Sequence, residues 1–179
     1  MSTLHVENLK GLSSGSNANT VLIPTGQELH APGHVIQMQT AQLQGSSASS
    51  SSTSYVDTGL SINITPKFAT SKILVFTNQS VGATKHSSTS NARIDMKLFE
   101  SNSGTIIADG RYLGTDYQTS GNLSLYHNQH GVFQCSNTNQ LTFKTQVRKA
   151  NGGVNANGGI YYGWYDGTDH NITALEIAQ

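Results

Sequence analysis

From Tyr55 onward the chain alternates between apolar and polar positions. In "LSINIT", Leu60, Ile62 and Ile64 fall on one face and Ser61, Asn63 and Thr65 on the other. That period of two marks a strand with one buried side. "TPKFATS" then turns, and "KILVF" follows, too continuous in apolar residues for a surface edge, which predicts a central strand. "ARIDMKLFE" alternates again, with Ile94, Met96 and Leu98 opposite Arg93, Asp95 and Lys97, and "SNSGT" makes a hairpin turn into "IIADGRYL". "LSLYHNQHGVFQ", "LTFKTQV", "IYYGWY" and "NITALEI" supply further strands. No stretch keeps the apolar spacing of a helix for long. Short strands separated by Gly- and Asn-rich turns predict an all-β chain, an antiparallel β-sandwich of the jelly-roll kind.

The chain before Tyr55 reads differently. Residues 1 to about 40 carry Pro24 and Pro32 and read as an extended N-terminal arm, in which "TVLIP" is a short apolar strand stopped by proline. "GSSASSSSTS" is almost pure serine. Its composition suits a flexible linker, and serine-rich edge strands are the alternative. Three zones result: an arm over 1–40, a Ser-rich linker or edge strand over 41–54, and the sandwich over 55–179.

Composition narrows the function. Charged residues make up 11% of the 179, with Lys+Arg and Asp+Glu both at 10, so there is no basic excess to neutralise phosphates. Nucleic acid is not an expected partner. No apolar run reaches transmembrane length and "MSTLHVENLK" lacks the order of a signal peptide, so the expectation is no membrane insertion and synthesis in a cytoplasm. Cys135, the single cysteine, reads as a small buried hydrophobe. Few charges and many short polar side chains suit close, repeated contact between copies.

Catalytic signals are weak. "HAPGH" (His30, His34) cannot be a helical metal pair, because Pro32 and Gly33 forbid the helix. His127 and His130 of "HNQH" point to opposite faces of a strand, so they could serve a metal only on a threefold axis where copies of one histidine meet. No nucleophile motif, phosphate loop or close carboxylate pair is present, so neither an enzyme nor a cofactor is expected. "IYYGWYDGTDHN" is richer in recognition chemistry. Tyr161 and Tyr165 share one strand face beside Asp166, Asp169 and His170, the mixture of flat apolar surface and short polar groups that a sugar face calls for. The same strand could instead pack in the core or against a neighbouring subunit. "NGGVNANGG", with Asn151, Asn155 and Asn157, is a second contact candidate or a plain hairpin loop.

The order of segments resembles a known family. "MSTLHVENL", "VDTGLSINITPKFATSKILV", "IDMKLFESNSGTIIADG" and the terminal "NITALEIAQ" are similar to short tail-fibre and virion structural proteins of bacteriophages, particularly those of cyanobacterial and marine hosts. The resemblance implies a homotrimeric β-sandwich made in the host cytoplasm and carried on the tail or baseplate of the virion. It implies an arm that docks on other tail or baseplate proteins, with Leu4, Val6, Leu9, Leu22 and Ile23 as its apolar contacts, and a sandwich that touches a host-surface glycan. It transfers no catalytic residue. A capsid-decorating or baseplate-cementing protein without a receptor is the alternative.

Overall fold

Among the described residues the computed structural model has ten strands: β1 (Val35–Leu43), β2 (Ala48–Ser50), β3 (Val56–Ile64), β4 (Lys72–Lys85), β5 (Ala92–Glu100), β6 (Ile106–Gly114), β7 (Gly121–Gln134), β8 (Leu141–Lys149), β9 (Ile160–Tyr162) and β10 (His170–Ile177). The structure describes residues 31–43, 48–85, 92–114, 121–150, 160–162 and 170–179, with short pieces at 13–15 and 25.

All pairing is antiparallel. β4 is the hub of the first sheet. It pairs with β7 on one side, and on the other with β10 and, further along, with β9. β1 pairs with β10 and β2 with β9, so the six strands lie along four lines: β1/β2, β10/β9, β4 and β7. The second sheet runs β3-β8-β5-β6. The β5–β6 hairpin is the tip of a longer double-stranded ribbon whose next pairs are β4 with β7, β3 with β8 and β1 with β10. Rolling that ribbon up makes a jelly roll, as the strand pattern predicts. The sandwich takes in β1 and β2, whose residues fall in the zones that composition reads as arm and as Ser-rich linker or edge strand; β2 is a short edge strand. β1 is held at its start by reciprocal bonds, Gly33 N to Ala178 O (2.8 Å) and Ala178 N to His34 O (2.9 Å).

Alternation explains the core. Leu60, Ile62 and Ile64 of β3, Ile94, Met96 and Leu98 of β5, and Phe143 of β8 face Ile73 and Val75 of β4 and Ile172 and Ala174 of β10, all buried. Phe133 meets Phe143 edge-on across the two sheets, with ring centroids 5.8 Å apart. β3 would lose this register at Asp57–Ser61 without its bulge, where Gly59 takes φ +89°, a backbone shape that residues with a Cβ rarely adopt.

Towards the other half of the sandwich the core turns polar. The Thr58 hydroxyl lies 2.5 Å from that of Thr145, which donates to Gln79 Oε1 (2.9 Å), while Gln129 Nε2 donates to the Met96 carbonyl (3.1 Å). Gln79 Nε2 and Gln129 Oε1 are buried with no hydrogen-bond partner among the described residues. An incompletely satisfied polar layer stabilises less per residue than the apolar half.

Two buried carboxylates organise the turns at the apolar end. Glu100 accepts bonds from Asn102 N, Ser103 N, Ser103 Oγ and Thr142 N, at 2.7–3.2 Å. Burial alone would raise its pKa, but these donors together lower it below the ordinary value. Glu176 Oε1 accepts from Lys67 N (2.8 Å) and Phe68 N (3.2 Å), and its Oε2 from Gln37 Nε2. One side chain thus ties β1, β10 and the β3–β4 turn together.

Candidate functional site

The two outer faces of the sandwich differ in kind. On the second sheet the outward positions carry charge, and the charges are cross-linked. Arg148 Nε and Nη2 both lie 3.0 Å from Asp95 Oδ2, and Lys144 Nζ lies 3.6 Å from Asp57 Oδ2. Lys97 Nζ and the Arg148 guanidinium sit 4.4 and 4.6 Å from the centre of the Tyr55 ring. This is a surface made to face water.

The first sheet is different. Its outward residues line up across four strands. One row is Met38, Leu175, Leu74 and Val132. The next is Thr40, Thr173, Phe76 and His130, and the one after is Gln42, Asn171, Asn78 and Asn128. Among the described side chains, Lys72 at the rim is the only charge on this face. Met38 is 61% exposed, Val132 56%, Phe76 40% and, beyond the amide row, Tyr126 61%. The strand "KILVF" is central, as expected, yet only Ile73 and Val75 reach the core; Leu74 and Phe76 point outward. A strand apolar on both faces belongs where both faces are covered. Here the described residues cover one.

A cleft of about 370 Å³ opens on the second sheet, lined by Tyr55, Asp95, Asp109, Gly110 and Arg148. The β5–β6 register, with Lys97 opposite Asp109, brings Asp95 and Asp109 into it from positions far apart in sequence. Its volume suits a small ligand, but the Tyr55 ring is already stacked by two cations and Asp95 is engaged by Arg148. As built, it offers neither an open aromatic platform for a sugar nor a paired acid and base.

The sequence candidates fare as follows. His170 is buried at 1% exposure, and its Nδ1 accepts the Ser80 N–H at 3.0 Å, so it is a packing residue of β10 and not a surface contact. The inward phase of β10 places it there, opposite Leu43 of β1. Tyr161 pairs with Ser49 and Gly82 in β9. Tyr165, Asp166, Asp169, Asn151, Asn155 and Asn157 lie outside the described residues, as do Leu4, Val6, Leu9, Leu22, Ile23 and His30. The strand ends that flank residues 151–159, Lys149 and Ile160, share one end of the sandwich with those flanking residues 86–91 and 115–120. His130 stands exposed on the first sheet's outer face, whereas His127 turns between the sheets, opposite Gln79. That inward position removes His127 as a ligand on any axis between copies. No cluster of three or more metal-ligating side chains occurs among the described residues. Cys135 is buried, and burial, with the Glu176 charge nearby, pushes its thiol up to about 11, which leaves it unreactive.

His127 supplies a pH test. Burial lowers its pKa from 6.5 to about 4. Between those values the unfolded chain binds a proton that the folded chain refuses. The stability this contributes is therefore present above pH 6.5 and lost as pH falls towards 4. The urea midpoint should decline over that window in the wild type and decline less in His127→Gln. Equal slopes for the two proteins would show that His127 is not the group responsible.

No protein-family model and no curated protein matches the chain. Among solved structures it is similar to an insecticidal delta-endotoxin from Bacillus thuringiensis, at TM-score 0.40 and 15% identity over 74% of this chain and 20% of the toxin. It is also similar to the particle of infectious bursal disease virus, at TM-score 0.36 and 14% identity over 86% of this chain and 41% of the viral one. A subviral particle of the same virus gives 0.35 and 14% over 81% and 38%. The chain spans less than half the length of each of these proteins, and at this level of likeness none of them assigns it a family or an activity.

Proposed function

We propose that this chain is a structural component of a bacteriophage virion, a tail-fibre protein that works as a homotrimer and makes contact with a host-surface glycan. In this reading the N-terminal residues dock on tail or baseplate proteins, and the sandwich is a rigid carrier. The observation that supports an assembly role best is the contrast between the outer faces: one charged and cross-linked, the other with Lys72 at its rim as the only described charge and large apolar side chains in the open. Monomeric soluble proteins rarely leave such a patch uncovered. Binding, not chemistry, is the proposed activity: many weak glycan contacts on one particle would add up through effective concentration.

Mass spectrometry of gradient-purified particles from a lysate of the encoding phage should recover the chain in stoichiometric amount, and immunogold against it should mark the tail. Recovery from the soluble fraction alone would overturn the virion reading. Gold on the shell would select the capsid-decorating alternative.

A further inference from the structure

We infer that the outer face of the first sheet, formed by β1, β10, β4 and β7, is where copies of this chain meet one another. The inference rests on the assembly reading above and adds the surface and its occupant. Three features single out a second copy over an unrelated partner.

The first is charge. Two copies of one face carry identical charges, so any charge near the centre would meet its like. This face holds no described charge inside its rim, where Lys72 sits, whereas the second sheet has charges throughout its outer face. The second is hydrogen bonding. The row Gln42, Asn171, Asn78 and Asn128 consists entirely of amides. An amide both donates and accepts, so it can pair with its own kind in more than one relative orientation, which a row of carboxylates or amines cannot. Identical faces can therefore satisfy each other.

The third is extent. Four strand lines about 4.8 Å apart and rows about 6.8 Å apart over some five rows give a footprint on the order of 600 Å² before side-chain relief is counted. A stable specific interface needs roughly 800 Å² of accessible surface per partner. The face is thus of the right size; its middle row is Thr40, Thr173, Phe76 and His130, and the apolar row of Met38, Leu175, Leu74 and Val132 lies between that row and the rim. Large apolar side chains flanked by polar groups, with charge kept to the edge, are how such interfaces are built.

The test uses the full chain. Light scattering on a sizing column should give a mass at least twice the 19.1 kDa of one chain. Val132→Lys and Met38→Lys place charges at largely exposed positions, so folding should be unaffected while association weakens by about 100-fold or more. Ser61→Lys, exposed on the second sheet, should assemble like the wild type. A readout without substitution is the rate of Met38 oxidation by peroxide, which should fall several-fold as the wild-type chain is concentrated from monomer to assembly. A wild type that stays monomeric at all concentrations would overturn the inference, as would Lys variants that assemble normally with Met38 still open to oxidant. Either result leaves the virion reading to be judged by the particle analysis, which does not depend on which face is used.

Discussion

Glu176→Ala should lower stability by about 4 kcal/mol, because three donors lose their acceptor in a buried site at once. The carboxylate is fully buried and serves Lys67 N, Phe68 N and Gln37 Nε2. Two of these are backbone donors in the β3–β4 turn, which cannot rotate away to find water without unpicking the turn. For a chain of this length the loss corresponds to roughly 10 °C in melting temperature. Glu176→Gln keeps the shape and one acceptor oxygen, so it should fall between the two. The damage should also be local: Gln37 belongs to β1, so limited proteolysis should reach the start of β1 first. A melting temperature within a degree of wild type for Glu176→Ala would refute the account. Because β1 contributes Met38 to the first sheet's outer face, the same variant should weaken self-association as well as folding.

Gly131→Ala is the second large effect, and its cause is space. A Cβ at Gly131 would lie 2.6 Å from Ile107 Cγ2 and 2.8 Å from the Ile107 carbonyl oxygen. The methyl could swing aside, but the carbonyl is backbone, so β6 and β7 must separate where the two sheets come together. Overpacking of this kind costs about 1–3 kcal/mol, and Gly131→Val should cost more. Denaturant midpoints give the values. Ile107→Ala removes the methyl and leaves the carbonyl, so in a double-mutant cycle it should restore only part of the loss. Full restoration would mean that the backbone contact does not matter; no loss in Gly131→Ala would mean that the sheets approach less closely than they do here.

Much of the fold was legible in the residues, and the reason is specific. In β3, β5 and β8 the alternation is clean because one face meets the core and the other meets water, so each side chain reports its own surroundings. β1 was harder to read. Its "VIQMQTAQL" puts glutamines on both faces, and a period of two needs contrast to be seen. β2 was harder still, since three residues of Ala and Ser carry no periodic signal. Only pairing with β9 makes it a strand. His170 is a related case: beside Asp166 and Asp169 it reads as a contact residue, while the phase of β10 turns it inward.

Candidate surfaces were less legible than strands. The outer-face rows combine residues from four strands, and Met38 and Val132 meet in one row only through the pairing of β1, β10, β4 and β7. The cleft that holds Asp95 and Asp109 likewise exists only through the β5–β6 register. The sequence by itself determined the all-β class, the inward set of the strong strands and the shortage of charge, because these depend on each residue and its near neighbours. The tertiary structure decided where that shortage of charge is concentrated. Strand order and register are set by long-range packing, and they sort charged outer positions onto one sheet and neutral ones onto the other.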